Sequence, residues 1–303
     1  MTWDLRGKTV FVTGAARGIG AETARRAAAA GANVALVGLE PEELARVASQ
    51  CGPNAAPFEC DVTDWSALER AVDGAVDRFG GIDVVLANAG IAPAGMVRSI
   101  DPRAFEKTIE VNLLGAWRTV RTCLPQVIER KGYVLVTASL AAAAHAPGMA
   151  AYAASKAGVE AFSNSLRAEV KRLGVDVGVA YFGFIDTDMV RGADTHPAFN
   201  RLREDSLGPF GKTYPVSAVG RAVVAGMEGR SRAVTVPRWV KPILLLRGML
   251  QPLTERGAYD RAAEADRSFL EDVAQRGAEI ASAPVGAGGE AVQQADRQAA
   301  GAP

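Results

Sequence analysis

The fold is decided by residues 9–20, TVFVTGAARGIG, in which a short apolar run ends in a glycine-rich loop. Thr9–Thr13 is rich in β-branched residues and predicts a strand, and the alanine-rich run after the loop predicts a helix. Gly14, Gly18 and Gly20 suit a loop that passes close to a pyrophosphate, since the next helix offers that group free N–H donors. The first gap between glycines is one residue longer than in the common dinucleotide fingerprint, so an ordinary tight turn remains an alternative at this point.

Strands and helices alternate along the chain as far as about residue 238. Further apolar runs predict strands at 33–37, 56–60, 82–87, 133–138, 175–181 and 233–236, with helices predicted at 65–79, 101–130, 150–173 and 216–227. This alternation implies right-handed crossovers and a parallel sheet with helices on both faces. We therefore expect an α/β fold, a doubly wound parallel sheet of about seven strands, followed by a C-terminal helical extension.

Charge and composition exclude several classes of function. The chain has 303 residues, 49% of them hydrophobic, which is enough for one large α/β domain with appendages. Its 34 basic residues balance 34 acidic ones, so no nucleic-acid partner is expected. Neither a signal-like start nor a run of about 18 apolar residues is present, and we expect a cytoplasmic protein. Cys51, Cys60 and Cys123 lie far apart without metal-ligand spacing, so neither a disulfide nor a metal site is predicted.

The end of the second predicted strand is the position that distinguishes NAD from NADP in a sheet of this kind. An acidic side chain there binds the ribose 2′-hydroxyl, whereas a small residue with an arginine nearby accommodates a 2′-phosphate. The position holds Gly38, and Arg17 in the glycine loop is well placed for a phosphate. Glu40 follows two residues later, and a charge at the start of the next helix explains it at least as well as ribose recognition. The sequence favours NADP, with NAD still open.

Residues 139–156, SLAAAAHAPGMAAYAASK, carry the candidate catalytic groups. Tyr152 and Lys156 lie four residues apart in a predicted helix and therefore share one face. A phenol has a pKa of about 10 and is a poor acid–base catalyst near neutral pH unless a nearby positive charge stabilises its ionised form. Lys156 is placed to supply that charge. Ser139 is placed to hold a substrate oxygen beside the phenol, which polarises a carbonyl while it accepts a hydride.

Polar residues also follow the ends of other predicted strands, where ligands bind in open parallel sheets. Asp61 and Val62 follow the third strand, and Asp61 is expected to accept a hydrogen bond from an adenine amino group. Residues 88–90, Asn-Ala-Gly, follow the fourth strand. Asn112 is an amide within the apolar helical run IEVNLLGAW. Because asparagine is unfavourable inside a helix, Asn112 is either exposed or retained for a function.

These motifs together resemble the short-chain dehydrogenase/reductase family over about residues 5–238. The match consists, in order, of TGAARGIG at 13–20, Asp61-Val62, Asn88-Ala89-Gly90, and the tetrad Asn112, Ser139, Tyr152 and Lys156. Any one of these elements can arise by chance in an unrelated sequence. The ordered set, with a serine-to-tyrosine spacing common in the family, is a specific signal. The resemblance implies a Rossmann fold over residues 1–238 and an enzyme that forms a homodimer or homotetramer.

The resemblance also implies an activity, the interconversion of a secondary alcohol and a ketone with NAD(P)(H). Tyr152 would exchange a proton with the substrate oxygen, Ser139 would hydrogen-bond that oxygen, and Lys156 would hold the ribose and lower the phenol pKa. Asn112 would anchor a water that leads the proton onward. The residues expected to contact the cofactor are Thr13, Gly14, Arg17, Gly18, Ile19, Gly20, Gly38, Asp61, Val62, Asn88, Ala89, Gly90, Tyr152, Lys156, Gly183, Ile185 and Thr187.

One position departs from the family pattern, which has Pro-Gly where this chain has Phe182-Gly183. Phenylalanine keeps the N–H that proline lacks and frees φ, so we expect the loop on the nicotinamide side to be positioned differently.

Two other functions are alternatives to the oxidoreductase. A non-catalytic nucleotide-sensing protein need not keep the tetrad intact. An epimerase or dehydratase acting on nucleotide sugars uses Tyr and Lys in this fold, but typically in longer chains with a full substrate domain.

The remaining segments predict a substrate lid and an extension. Residues 183–215 have no sustained period and are expected to form a mobile lid. Residues 238–256, RWVKPILLLRGMLQPLTER, are apolar with flanking cations, and they either pack over the pocket or a partner subunit, or dock on a membrane or lipid. Residues 239–280 are expected to be a helical extension and 281–303 a disordered tail. The apolar surface favours a small lipophilic ketone or alcohol as substrate.

Overall fold

A parallel sheet lies at the centre of the molecule, of which the computed structural model describes residues 3–195 and 211–299. Within these ranges the strands lie in the order β3-β2-β1-β4-β5-β6-β7 and every neighbouring pair is parallel. The strands are β1 Thr9–Thr13, β2 Asn33–Gly38, β3 Ala55–Glu59, β4 Val84–Ala87, β5 Tyr133–Thr137, β6 Asp176–Phe182 and β7 Ala233–Val236. This order confirms the predicted doubly wound sheet.

The helices cover both faces of the sheet and continue beyond it. They are α1 Gly18–Ala29, α2 Pro41–Cys51, α3 Trp65–Phe79, α4 Pro102–Ile109, α5 Gly115–Glu129, α6 Ala150–Val170, α7 Asp188–Asp194, α8 Val216–Glu228, α9 Val240–Arg276, α10 Ala278–Ala281 and α11 Gly286–Ala299. Local capping fixes several ends. The Asp64 carboxylate accepts a hydrogen bond of 2.8 Å from the Ser66 N–H at the start of α3. The same helix ends at Gly80, whose φ of +81° suits a residue without a side chain.

Two apolar clusters form the core, one on each face of the sheet. Phe11 belongs to the cluster covered by α3, α5 and α6, while its neighbours Val10 and Val12 belong to the cluster covered by α1, α2 and α8. All three side chains are fully buried. A central parallel strand is covered on both faces, which explains its continuous apolar run. Replacing Phe11 with alanine would cost about 3–5 kcal/mol.

The helix predicted at 101–130 is not continuous. A π-helical turn at Glu110–Leu114 separates α4 from α5, and Asn112 lies in it. A π turn inserts one residue into the helical repeat and therefore rotates the side chains that follow it. The apolar periodicity of the sequence continues across this point, so it does not reveal the insertion.

The segment after β7 is more ordered than its composition predicts. Residues 281–303 were expected to be disordered, but α11 occupies Gly286–Ala299, and Val292 within it is only 7% exposed. The helix is held by residues far away in the chain, such as Lys107, whose ammonium lies 2.6 Å from the Asp296 carboxylate. The composition of residues 281–303 reports only the apolar content of that segment. It does not reveal that contacts with distant residues stabilise a helix there.

The extension helix α9 has two distinct halves. Leu245 and Met249 in its first half are each 77% exposed. In the second half Phe269 is buried and packs with Ala94 and against Gly148, in the loops that follow β4 and β5. None of the helices in the described ranges has the length and apolarity needed to cross a membrane.

Of the predicted lid, residues 196–210 lie outside the described ranges. The residues before them include α7 (Asp188–Asp194), and the chain resumes at residue 211.

Candidate active site

A cleft opens at the carboxyl edge of the sheet, where β1, β4, β5 and β6 end side by side. It encloses about 1350 Å³, including its solvent-open mouth, and its walls include the glycine loop, Ser139, Tyr152 and Lys156. The topology explains this placement, because the strand order reverses between β1 and β4 and leaves a crevice there. The cleft therefore brings the two sequence motifs into one site.

The glycine loop fits tightly against β4. Gly14 has a φ of +66°, and a Cβ added there would lie 2.9 Å from the Ala89 Cα. A Cβ on Gly20 would lie 2.1 Å from the Gly14 carbonyl oxygen. Arg17 precedes α1 without capping it through its side chain, so the first N–H groups of α1 stay free for a ligand. This cradle fits the pyrophosphate of a dinucleotide cofactor.

Asn88 and Thr13 fix the loop to the neighbouring strands. The Thr13 hydroxyl accepts hydrogen bonds from the N–H groups of Asn88, at 3.0 Å, and Ala89, at 3.2 Å. The Asn88 amide nitrogen donates in return to the Thr13 carbonyl at 3.1 Å. These two predicted cofactor residues therefore shape the cleft by holding its floor.

At the adenosine end, Arg17 forms an ion pair that the sequence does not reveal. Its guanidinium binds the Glu40 carboxylate, with Nε 3.2 Å from Oε2, and lies 3.6 Å from the Asp188 carboxylate. The hydrogen bond with Glu40 raises the pKa of Arg17. A preference for NADP requires an Arg17 that is free to receive a phosphate, whereas this guanidinium is already paired with the Glu40 and Asp188 carboxylates. Gly38 also lines the cleft, and a Cβ there would meet only Leu44 and Ala15, at 3.6 Å or more.

Asp61 and Val62 line the cleft, and the contact of Asp61 with an adenine stays a prediction. One Asp61 carboxylate oxygen accepts a hydrogen bond of 2.8 Å from the Thr63 N–H. This local turn orients the carboxylate and leaves its remaining acceptor capacity for a ligand.

Tyr152 and Lys156 lie on one face of α6, with the Lys156 ammonium 5.7 Å from the centre of the phenol ring. The ammonium donates a hydrogen bond of 2.8 Å to the Thr137 carbonyl at the end of β5. Lys156 is only 4% exposed, and this burial lowers its pKa to about 8. The lysine is therefore a largely dehydrated cation held beside the phenol.

Burial dominates the acidity of Tyr152. It raises the pKa of the phenol, and a hydrogen bond with Ser139 acts in the opposite direction with a smaller effect. The net direction is therefore upward, because the loss of water around the phenol disfavours its ionised form. The lowering of this pKa by Lys156 stays a prediction. The phenol is in its protonated form at neutral pH and can donate a proton.

Ser139 follows β5 directly and caps a short 3₁₀ turn, Leu140–Ala142. Its hydroxyl oxygen accepts a hydrogen bond of 3.2 Å from the Ala141 N–H and lies 3.4 Å from the Phe182 carbonyl. These contacts hold the serine at the bottom of the cleft beside Tyr152.

Asn112 is buried and its amide is engaged with neighbouring elements. Its Oδ1 accepts from the Ile91 N–H at 2.8 Å, and its Nδ2 donates to the Ile91 carbonyl at 2.9 Å and to the Ser155 hydroxyl at 3.0 Å. The π turn thus places the Asn112 amide between the loop after β4 and helix α6. Single π turns inside α-helices are frequent at functional sites. Asn112 joins the two elements that carry the rest of the site.

On the nicotinamide side, the chain leaves β6 through Phe182 and Gly183. Phe182 is buried, and the Gly183 N–H donates to the Val236 carbonyl at 2.8 Å. Ile185 and Thr187 line the cleft, and Thr187 begins α7 by accepting a hydrogen bond of 3.4 Å from the Val190 N–H. Phenylalanine therefore serves as a packing residue at the position where the family has proline.

Several residues of the cleft were not predicted. Ser155 is fully buried and donates to the Tyr152 carbonyl at 2.7 Å while accepting from Asn112. Its position between Tyr152 and Lys156 was the available signal. The residues that line the cleft without having been predicted include five from the C-terminal segment, which no local motif marks: Val285, Gly288, Gly289, Ala291 and Val292.

Comparison with known proteins identifies the family. Residues 8–198 match the model for short chain dehydrogenases. The chain is 31% identical over 266 residues to 11-beta-hydroxysteroid dehydrogenase 1A of Arabidopsis thaliana, covering 84% of this chain and 75% of that protein. It is 36% identical over 193 residues to the fatty acyl-CoA reductase of Acinetobacter baylyi, covering 62% of this chain and 65% of that protein.

A solved structure supports the fold. The crystal structure of a short chain dehydrogenase/reductase from Burkholderia phymatum in complex with NAD matches 83% of this chain and 96% of its own, with a TM-score of 0.74 and 20% identity. The family match agrees with the geometry of the cleft, which has a glycine cradle and a buried tyrosine beside a dehydrated lysine. This chain belongs to the short-chain dehydrogenase/reductase family and is a nicotinamide-dependent oxidoreductase.

Proposed function

We propose that the chain interconverts a secondary alcohol and a ketone with NAD(P)(H), with Tyr152 as the general acid and base. The observation that carries the proposal is the buried Tyr152 between Ser139 and Lys156, in the same cleft as the glycine loop. A protonated phenol beside a second hydroxyl matches the needs of a carbonyl oxygen that gains negative charge.

In the reductive direction, NAD(P)H held along the glycine loop would supply the hydride. Tyr152 donates its proton to the substrate oxygen, and Ser139 hydrogen-bonds that oxygen. Lys156 holds the cofactor ribose and stabilises the phenolate left behind. Because burial raises the pKa of Tyr152, the resting phenol favours proton donation, and oxidation of an alcohol needs higher pH to remove that proton first.

Asn112 has a positioning role in this proposal. Its amide nitrogen is fully used by Ile91 and Ser155, whereas Oδ1 retains one lone pair for a water that leads the proton onward. Ser155 bonds the Tyr152 backbone, so Asn112 also fixes the start of α6.

We propose a small lipophilic substrate. The lining of the cleft includes the apolar residues Ile91, Met189 and Val190, and apolar walls favour an apolar ligand. The relatives named for a hydroxysteroid and for a fatty acyl-CoA act on lipophilic molecules, which supports the same class.

The test is reduction of a panel of aliphatic, steroid and aromatic ketones, followed by cofactor absorbance. Tyr152→Phe should lower turnover by at least about two orders of magnitude while cofactor binding is retained. Tyr133→Phe is the matched control, because it removes a buried phenol hydroxyl outside the cleft. A Tyr152→Phe enzyme with near-normal turnover would refute the assignment. Cofactor binding without turnover of any ketone or alcohol would favour the alternative, a non-catalytic NAD(P)-sensing protein.

We further propose that the Arg17–Glu40 pair sets the cofactor preference, which leans modestly to NADP. Arg17 attracts a 2′-phosphate and Glu40 repels it, so the two charges oppose each other. Glu40→Gln should therefore strengthen NADPH binding relative to NADH by about tenfold. Glu42→Gln, an exposed neighbour in α2, is the control. Unchanged relative affinities in Glu40→Gln would refute the role of the pair, and a clear wild-type preference for NADH would refute the lean to NADP.

We propose that residues 1–238 are the catalytic domain and 239–280 the helical extension of a homodimer or homotetramer. The exposed Leu245 and Met249 of α9 supply an apolar surface for a partner subunit. Leu245→Ser with Met249→Ser should then lower the oligomeric state measured by light scattering. An unchanged oligomer, with wild-type chain that sediments with lipid vesicles, would instead indicate membrane docking.

A further inference from the structure

The segment that follows α10 returns across the cofactor cleft. Val285, Gly288, Gly289, Ala291 and Val292 line the cleft together with the glycine loop and the ends of β2 and β3. The motifs that carry the family resemblance end near residue 238, before this wall begins. It forms part of the same cavity that receives the cofactor.

The segment is anchored on both sides of the cleft. On one side the Ser282 hydroxyl accepts a hydrogen bond of 3.0 Å from the Asp101 N–H, and the Val285 N–H donates to the Ala92 carbonyl at 3.2 Å. On the other side Gly286 packs so closely against α7 that a Cβ there would lie 2.5 Å from the Asp188 carbonyl oxygen. The segment therefore spans the cleft from the loop after β4 to the start of α7.

Helix α11 lies over the adenosine-diphosphate half of the site. A Cβ on Gly288 would lie 4.0 Å from the Arg17 Cδ, at the glycine loop. Val292, one turn later, is buried in the same apolar cluster as Val62 and Val111, and all three line the cleft. These neighbours are the residues that border the pyrophosphate and the adenine, not those around Tyr152.

The cleft-facing side of α11 leaves space instead of filling it. A Cβ on Gly288 would meet nothing within 4 Å except the Arg17 Cδ, so the glycine borders open volume. A helix that plugged the site would project large side chains into this volume. The exposed residues Gln294 and Arg297 lie on the opposite face, toward solvent.

We propose that α11 is an additional part of the cofactor site, which covers the adenosine-diphosphate half of bound NAD(P) and slows its release. The inference rests on the nicotinamide cofactor of the proposed function but not on its substrate. The apolar side chains of Val285 and Val292 exclude water from the cofactor, and this strengthens its hydrogen bonds and ion pairs with the glycine loop.

The test uses the full chain with NADPH and NADH as probes. Gly288→Phe fills the space under α11 and should raise the Kd of both cofactors, measured by fluorescence titration, by about tenfold or more. Gln294→Phe places the same side chain on the outer face and should leave the Kd within about twofold of the wild-type value. In the wild-type chain, hydrogen exchange of residues 286–292 should slow when NADPH is added.

The outcomes separate the possible roles of the helix. Unchanged affinity in Gly288→Phe would overturn the proposal. So would exchange in residues 286–292 that is unchanged or faster with NADPH, since a plug would leave the cleft as the cofactor enters. If Gly288→Phe does not fold, the exchange measurement on the wild-type chain decides alone. Cofactor-dependent protection in an enzyme that reduces no ketone would refute the proposed chemistry and leave the role of α11 standing.

Discussion

Lys156 should lower the stability of the fold that it serves. Its ammonium is 4% exposed, and burial lowers its pKa from the ordinary 10.5 to about 8. The unfolded chain therefore binds the Lys156 proton more tightly than the folded protein. Between about pH 8 and 10.5 the unfolded state holds more protons, so stability rises with pH across this window and the penalty is constant below it.

The size of the effect follows from the two pKa values. A pKa of 10.5 in the unfolded chain and of about 8 in the folded protein correspond to a penalty of about 3 kcal/mol at neutral pH, of which about 2 kcal/mol is relieved by about pH 9.5. Lys156→Met keeps the length of the side chain and removes the charge. It also removes the hydrogen bond to the Thr137 carbonyl, which costs about 1–3 kcal/mol at every pH.

The assay is urea unfolding followed by circular dichroism from about pH 7 to about pH 9.5. The free energy of unfolding of the wild type should gain about 2 kcal/mol relative to Lys156→Met across that range. Other titrating groups, such as Tyr133, are common to both chains and cancel in the difference. Lys241→Met, which removes an exposed lysine, should show no pH-dependent difference. A constant difference between wild type and Lys156→Met would refute the argument that burial, and not pairing, sets the state of this lysine.

Three further substitutions test the construction of the site. Gly14 has a φ of +66°, and a Cβ there would lie 2.9 Å from the Ala89 Cα, so Gly14→Ala should lower the stability of the fold by about 1–3 kcal/mol and weaken NADPH binding. The control Gly38→Ala should change neither the stability, measured by thermal unfolding, nor the NADPH affinity, measured by fluorescence titration. Asn112→Leu leaves buried groups of Ile91 and Ser155 unpaired and should lower the urea-derived stability by at least about 2 kcal/mol; a neutral result would contradict its positioning role. Ser282→Ala should speed hydrogen exchange in α11 without affecting β1 or β4, because it removes only the bond to Asp101; equal protection in α11 would show that this anchor is not needed.

Local signals made much of the sheet predictable. β1 and β7 match the predicted bounds, and α3 has the predicted bounds 65–79, with Asp64 and Gly80 at its two ends. Each of these features depends on residues adjacent in sequence, such as a cap, a glycine or a β-branched run. Ser139 and most of the predicted cofactor residues likewise follow strand ends, and a parallel sheet brings such ends to one edge.

The features that were missed depend on distant residues. The π turn at Asn112 is stabilised by bonds to Ile91 and Ser155, neither of which is near in sequence. The pKa of Tyr152 is raised mainly by burial, and the spacing to Lys156 does not reveal how completely the fold excludes water from the phenol. Arg17 was treated as free because its partner Glu40 lies in another loop.

The position of α11 has a consequence for biosynthesis. All seven strands precede it in the chain, so the sheet and the glycine loop are made and can fold before the helix that borders Arg17 leaves the ribosome. At about 5–20 residues per second, translation from β7 to α11 takes roughly 3–12 s. During that interval the nascent chain lacks the wall that Val285 and Val292 add to the cleft.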